Sequence, residues 1–156
     1  MKVRALICGS FDPFHIGHVD LIKRTLNFAD EIVIGVGVNT TKTPISSAEE
    51  RVELIRNYFK NEERVIKVAE YICSTIQFCE DNKINLISRG LRNAKDFDYE
   101  SEIARVNKEL GGPDTIFLLA NPEISWISSS MIKIMINRGE RDKVEKFIIT
   151  KMDLYQ

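Results

Sequence analysis

Short apolar runs alternate along the chain with longer stretches in which apolar positions recur every three or four residues. Runs of strand length stand at 3–8, 31–38, 64–69, 85–88 and 115–120. The stretches between them predict helices over 18–28, where Val19, Ile22 and Leu26 share one face, up to about residue 59, and over 75–82, 98–110 and 128–137. A last amphipathic stretch covers 142–149. The run at 31–38 is nearly unbroken Val, Ile and Gly, as in a strand covered on both faces. Ser46 and Ser47 each have a Glu three positions on, so either pair can open the second helix as a capping box. Gly111-Gly112-Pro113 stops the fourth helix.

Strands that alternate with helices predict an α/β fold, a Rossmann-like doubly wound five-stranded parallel sheet in a single domain over 1–156. No repeat, low-complexity tract or linker interrupts it. Such a sheet takes its ligand at the carboxyl ends of its strands, near a topological switch point. That directs attention to the junctions after Cys8, Val38, Ser88 and Ala120.

Composition narrows the function classes. A chain of 156 residues buries roughly two thirds of its unfolded surface, so it needs no cross-links. Its three cysteines, Cys8, Cys73 and Cys79, are odd in number, form no C-x-x-C and follow no signal peptide, which predicts reduced thiols in a cytoplasmic protein. No apolar run approaches the roughly 20 residues of a membrane span. A net charge of −1 argues against a nucleic-acid partner while leaving room for a local basic pocket.

The first junction, residues 9–18, holds both histidines of the chain, His15 and His18. A glycine-flanked loop lets a phosphate approach the backbone, and a helix N-terminus offers free N–H groups. Two rival readings are half a metal site, which lacks further ligands nearby, and a pair of histidines that merely cap or pack at a turn. No G-x-G-x-x-G follows the first strand and no G-K-[ST] occurs, so dinucleotide and P-loop chemistry are disfavoured. Lys42 stands on the second junction, where a solvated lysine is the ordinary alternative. Arg89-Gly90-Leu91-Arg92, read as a basic loop after the fourth strand, carries two guanidinium forks suited to phosphate. Asp96 to Glu100 put acids at a helix start. The fourth junction, Ile124-Ser125-Trp126-Ile127-Ser128-Ser129-Ser130, sets three serines where they can cap a helix or cradle a polyphosphate.

These pieces together resemble the nucleotidyltransferase superfamily marked by H-x-G-H after the first strand and I-S-S-[ST] before a late helix. They stand here as His15-Ile16-Gly17-His18 and Ile127-Ser128-Ser129-Ser130. Within it the chain is similar to the bacterial phosphopantetheine adenylyltransferases over nearly its whole length. The likeness runs through Gly9 to Pro13, Lys42 with Pro44, Glu49-Glu50-Arg51, Arg89 to Arg92, and Asp96 to Glu100.

The resemblance implies transfer of AMP from ATP to 4′-phosphopantetheine, giving dephospho-coenzyme A and pyrophosphate, the penultimate step of coenzyme A synthesis. It also implies Mg²⁺ held mainly by ATP phosphates and water, a cytoplasmic homohexamer, and feedback inhibition by coenzyme A. By the same likeness His18, Lys42 and Arg89 are catalytic, with His18 stabilising the transition state. Ser10, Lys42 and Arg89 would hold the acceptor phosphate, and Thr75 would touch the phosphopantetheine. Ser10, Phe11, His18, Gly90, Leu91, Arg92, Glu100 and the segment Ile124, Ser125, Trp126, Ile127, Ser128, Ser129 and Ser130 would line the ATP site. Ser10 replaces the family's Thr and keeps the hydroxyl. His15 and Ile16 replace Thr and Asn, and Ile124-Ser125-Trp126 inverts the usual Trp-Ser-aromatic order. Two other readings are a sibling transferase acting on nicotinate mononucleotide or making a CDP-alcohol, and a nucleotide-sensing module without turnover.

Overall fold

The computed structural model describes residues 1–155. Five strands, β1 (Arg4–Gly9), β2 (Glu31–Gly37), β3 (Val65–Tyr71), β4 (Leu86–Leu91) and β5 (Asp114–Leu119), form one sheet in the order β3-β2-β1-β4-β5. Every neighbouring pair is parallel. The helices are α1 (Ile16–Thr25), α2 (Ala48–Tyr58), α3 (Thr75–Asp81), α4 (Ala94–Glu109), α5 (Ser129–Asn137) and the short α6 (Arg141–Val144). The doubly wound parallel architecture is thus the one the alternating pattern predicts.

Period-two alternation sorts the strand side chains onto the two faces of the sheet. Ala5, Ile7, Ile32, Ile34 and Val36 pack with Ile22 and Leu26 of the α1 region and Val52 and Ile55 of α2. Leu6, Val33 and Ile87 pack on the other face with Phe78 and Cys79 of α3. β2 is therefore buried on both sides, which is why its sequence shows an unbroken apolar run. A buried hydroxyl pair, Thr25 to Ser88 at 2.9 Å, ties α1 to β4. None of the described helices is long and apolar enough to cross a membrane.

Several boundaries depart from the sequence reading, each for a local reason. Of the two candidate capping boxes, Ser47 with Glu50 opens α2. Arg89, Gly90 and Leu91 are not loop: they extend β4, because Phe117, Leu118 and Leu119 of β5 satisfy their backbone. α4 starts at Ala94 rather than 98, since Asn93 caps it by accepting from the Asp96 N–H at 2.9 Å. The amphipathic stretch at 142–149 breaks into α6, a 3₁₀ turn over Glu145–Phe147, and extended residues. There Ile148 bridges His15 and the Ile149 N–H donates to the Phe14 carbonyl at 2.9 Å, so the chain's end buttresses the histidine loop.

α1 begins at Ile16, two residues before the predicted start, because His15 is its N-cap. The His15 Nδ1 accepts from the Gly17 N–H, and the His18 Nδ1 accepts from the His15 N–H, both at 3.1 Å. This is a capping box in which imidazoles play the parts usually taken by Ser and Glu. Gly17 is required by it: a Cβ there would lie 2.9 Å from the His15 Cε1. Each ring can accept through Nδ1 only while neutral. Burial, followed by the Arg92 charge, pushes His15 down to about 4, and burial with His15, Arg89 and Arg92 holds His18 well below its ordinary value.

The unfolded chain takes up these protons near pH 6.5, whereas the folded chain refuses them until lower pH. Stability from the cap is therefore full above about pH 6.5 and lost as the pH falls toward 4. From the depressed His15 alone, about 2 kcal/mol should disappear between pH 7 and pH 5. Urea unfolding of the wild type and of His15→Asn, which keeps a cap acceptor without a titrating ring, tests this. The variant should lose less stability over that interval, and parallel losses would refute the account.

Candidate active site

β1 and β4 are paired only at Ala5↔Leu86 and Leu6↔Ile87. β1 continues against β2 as far as Gly9, and β4 against β5 as far as Leu91. The strands thus part where the strand order reverses, the place at which open α/β sheets bind ligands. Two cavities, of about 370 and 480 Å³, open around this gap. Both are lined by Cys8, Gly9, Ser10 and Arg89.

Arg89 spans the gap. Its Nη1 donates to the Cys8 carbonyl. Its other edge makes a two-pronged bond to Glu100, with Nε to Oε2 at 2.8 Å and Nη2 to Oε1 at 2.6 Å. Burial opposes the charge, but Cys8 and Glu100 beside it hold the guanidinium protonated. Arg92 is oriented in the same manner by Asp96, at 3.0 and 3.1 Å.

The first cavity has two helix N-termini on its wall. Gly17 and His18 belong to the first turn of α1, and Ser129 and Ser130 to that of α5. N-terminal amides and helix dipoles there favour anions. Ser128 caps α5 through the Met131 N–H at 3.0 Å, and Ser129 Oγ donates to the Pro13 carbonyl at 3.1 Å. The His18 ring is clamped against His15 at 3.7 Å and flanked by Phe11 at 4.9 Å and Phe14 at 5.8 Å. Phe11 is held at φ 50 while almost fully buried, a backbone state that only tight packing sustains. With Nδ1 occupied, the hydrogen of the neutral His18 ring is on Nε2, which makes no hydrogen bond among the described residues. Capping and lining the cavity, which look like rival roles in the sequence, are one arrangement.

The second cavity runs between the ends of β2 and β3 and the helices α3 and α4. Thr75, Tyr71, Ile72, Ile103 and Asn107 line it, with Glu100 beside Arg89. Burial and then Cys8 push the Tyr71 phenol up to about 12, so this arm is uncharged beyond the Arg89–Glu100 pair.

Of the residues singled out from sequence, Ser10, Phe11, His18, Arg89, Gly90, Arg92, Ile124, Ile127, Ser128, Ser129 and Ser130 line the first cavity. Ser10, Arg89, Thr75 and Glu100 line the second. Glu100 lines the second cavity and not the first. Leu91 is buried in β4, and Lys42 is exposed on the turn after β2, outside both linings. Ser125 also lies outside them, and Trp126 turns to the surface, bonded to the Glu123 carbonyl and edge-on to Phe147 at 4.9 Å. Among the described residues no three His, Cys, Asp or Glu side chains gather as a metal-ligand set.

Asp12, Asp20, Arg24, Arg51 and Lys133 have no site role that the sequence indicates. Asp20, Leu21 and Arg24 join Gly17 along the cavity face of α1. Their spacing of three, four and seven residues is a helical stripe that a closer reading could have traced. Arg51 is buried and donates to the Ser10 carbonyl, and Asp12 pairs with Lys133. These contacts join distant parts of the chain and leave no local pattern.

Residues 6–134 match the cytidylyltransferase-like family model. The chain is 42% identical over 151 residues to a phosphopantetheine adenylyltransferase of Bacteroides fragilis, covering 97% of this chain and 99% of that one. It is 41% identical to one of Leptospira biflexa, over 89% and 87% of the two chains. Among solved structures it is similar to the lipopolysaccharide core biosynthesis protein of Thermoplasma volcanium, with a TM-score of 0.59, 23% identity, and coverage of 78% of this chain and 98% of that one. It is similar also to a bifunctional NMN adenylyltransferase/ADP ribose pyrophosphatase of Francisella tularensis, with a TM-score of 0.64 and 17% identity over 96% of this chain and 46% of that one. The structural likenesses concern the fold. Identity of 42% along nearly the full length of both chains says more, and the protein belongs to the phosphopantetheine adenylyltransferase family.

Proposed function

We propose that the chain transfers the adenylyl group of ATP to the phosphate of 4′-phosphopantetheine, forming dephospho-coenzyme A and pyrophosphate. The observation that carries this reading is the meeting of two cavities at Ser10 and Arg89. One has two helix N-termini for a triphosphate. The other joins an anion-binding corner to an uncharged arm, which suits a phosphate with a long amide tail.

In this reading ATP occupies the first cavity, with the apolar wall of Leu118, Ile124 and Ile127 beside the base. An oxygen of the acceptor phosphate forms a bond to the α-phosphorus, and the bond to the bridging oxygen breaks with its electron pair leaving on pyrophosphate. A phosphate monoester is already largely ionised near neutral pH, so no strong base is needed. His18 donates through Nε2–H to the charge that grows on the α-phosphate, and the N-terminal dipole of α1 and the first-turn amides of α5 act with it. Arg89, Ser10 and Lys42 hold the acceptor phosphate in line. Lys42 does so by reaching in from the exposed turn on its four-carbon stem.

Mg²⁺ belongs to this proposal as part of the substrate, carried on the ATP phosphates and water. A homohexamer is supported by α4, which buries none of its residues and exposes Tyr99, Ile103 and Val106. Inhibition by coenzyme A fits a site whose two cavities accept an adenylate and a pantetheine arm. The free thiols Cys8, Cys73 and Cys79 fit a reducing, cytoplasmic setting.

Purified protein with ATP should release pyrophosphate with 4′-phosphopantetheine and not with nicotinate mononucleotide or an alcohol phosphate; the reverse preference would overturn the proposal. Substituting His18→Ala should lower kcat by about 10²- to 10³-fold with little change in ATP affinity, the mark of a donor used in the transition state. A mere binding module would show the same background turnover before and after. Lys42→Ala and Arg89→Lys, the latter keeping the charge but losing the fork, should each raise the KM for the acceptor about tenfold or more while leaving ATP binding nearly unchanged. Unaltered acceptor kinetics would remove both residues from the roles given.

A further inference from the structure

Asp12 lies one residue beyond Phe11 and two beyond Ser10, yet it is only 2% exposed and lines neither cavity. Its carboxylate accepts from the Ile45 N–H at 3.0 and 3.2 Å and from the Ser46 N–H at 3.3 Å. Its Oδ2 is 2.7 Å from the Lys133 Nζ. Lys133 stands on α5, one turn past Ser129 and Ser130. One buried carboxylate thus touches the segment after β2, the helix at the anion site, and the loop that carries Ser10.

The segment from 39 to 46 has few other restraints. Asn39 bonds Thr41 and Lys42 within the segment itself. Among the described residues, the only hydrogen bonds that leave it run to Asp12. Beyond its chain connections to β2 and α2, the Lys42 turn is therefore hydrogen-bonded to the rest of the site through this single group.

We propose that the Asp12–Lys133 pair is a positioning device that sets the Lys42 turn in register with the N-terminus of α5, so that acceptor and nucleotide phosphates meet in line. It rests on the reading above for the role of Lys42, whereas the tether itself does not depend on which acceptor is used. Burial of Asp12 is offset by the ammonium and the amide donors together, so neutralising either partner loosens the turn without touching a substrate. Asp12→Asn keeps the size and an acceptor oxygen but loses the attraction to Lys133. Lys133→Met keeps the stem at a partly exposed position, and Lys133→Arg keeps the charge.

Hydrogen exchange on the substrate-free protein reads the tether directly. In Asp12→Asn and Lys133→Met the Ile45 and Ser46 amides should exchange about tenfold faster or more, with β1 and β2 amides unchanged. In the assay the same variants should raise the acceptor KM and lower kcat, each about tenfold, with ATP affinity within about twofold. Lys133→Arg should restore most of both. Folded variants with unaltered exchange at Ile45 and Ser46 would sink the tether, even if the wild type makes dephospho-coenzyme A. Faster exchange with unaltered acceptor kinetics would sink its role in positioning. A wild type that ignores 4′-phosphopantetheine would instead overturn the functional reading, and exchange alone would then decide the tether. If Asp12→Asn does not fold, Lys133→Met carries the same comparisons.

Discussion

Everything at the site depends on the parting of β1 from β4 after Leu6 and Ile87. A parallel sheet satisfies its backbone by continuous pairing, and two strands that diverge leave carbonyls and N–H groups facing a gap. Arg89 closes part of it by donating to the Cys8 carbonyl, and β5 supports β4 out to Leu91. The same gap opens the two cavities and brings the first turns of α1 and α5 to one wall. A sheet with β1 and β4 paired to their ends would have neither.

Four cations at and around the site are held by carboxylates. Arg89 is forked onto Glu100 and Arg92 onto Asp96, while Lys133 pairs with Asp12 and Arg24 with Asp20 through single contacts of 2.7 and 3.4 Å. Such pairs orient charged groups before a ligand arrives, which lowers the reorganisation needed during the reaction. They also show how a chain with net charge −1 presents an anion site: each cation is balanced by a carboxylate fixed beside it, and helix N-termini supply further donors. The two histidines complete this pattern from the neutral side. Each is an acceptor at the start of α1, so a ring among arginines stays uncharged and His18 keeps one hydrogen for the cavity.

Much of this was legible in the chain. The strand and helix alternation, the switch-point edge and the groups at residues 9–18, 89–92 and 124–130 follow from local pattern, because strands and helix caps are short-range events. The rest depends on contacts made far along the chain. Arg89-Gly90-Leu91 has the composition of a loop, and only pairing with Phe117 to Leu119 makes it strand. Glu100 is one of several acids near a helix start, and its bond to Arg89 is made only once α4 packs against β4. Trp126 stands just before the motif and packs on Phe147, 21 residues away, a partner that no local spacing names. Asp12 and Lys133 lie 121 positions apart and carry no shared spacing.

The order of elements, the buried faces of β1 and β2, the glycine at 17 and the two motif groups are properties of the amino-acid sequence, since each is set by neighbours within a few residues or by hydrophobic period. The tautomer of His18, the orientation of the arginines and the seating of the Lys42 turn are properties of the fold. They are hydrogen bonds and ion pairs between segments that meet only after the sheet forms, and a neutral imidazole or a buried carboxylate is stable only where those partners have arrived.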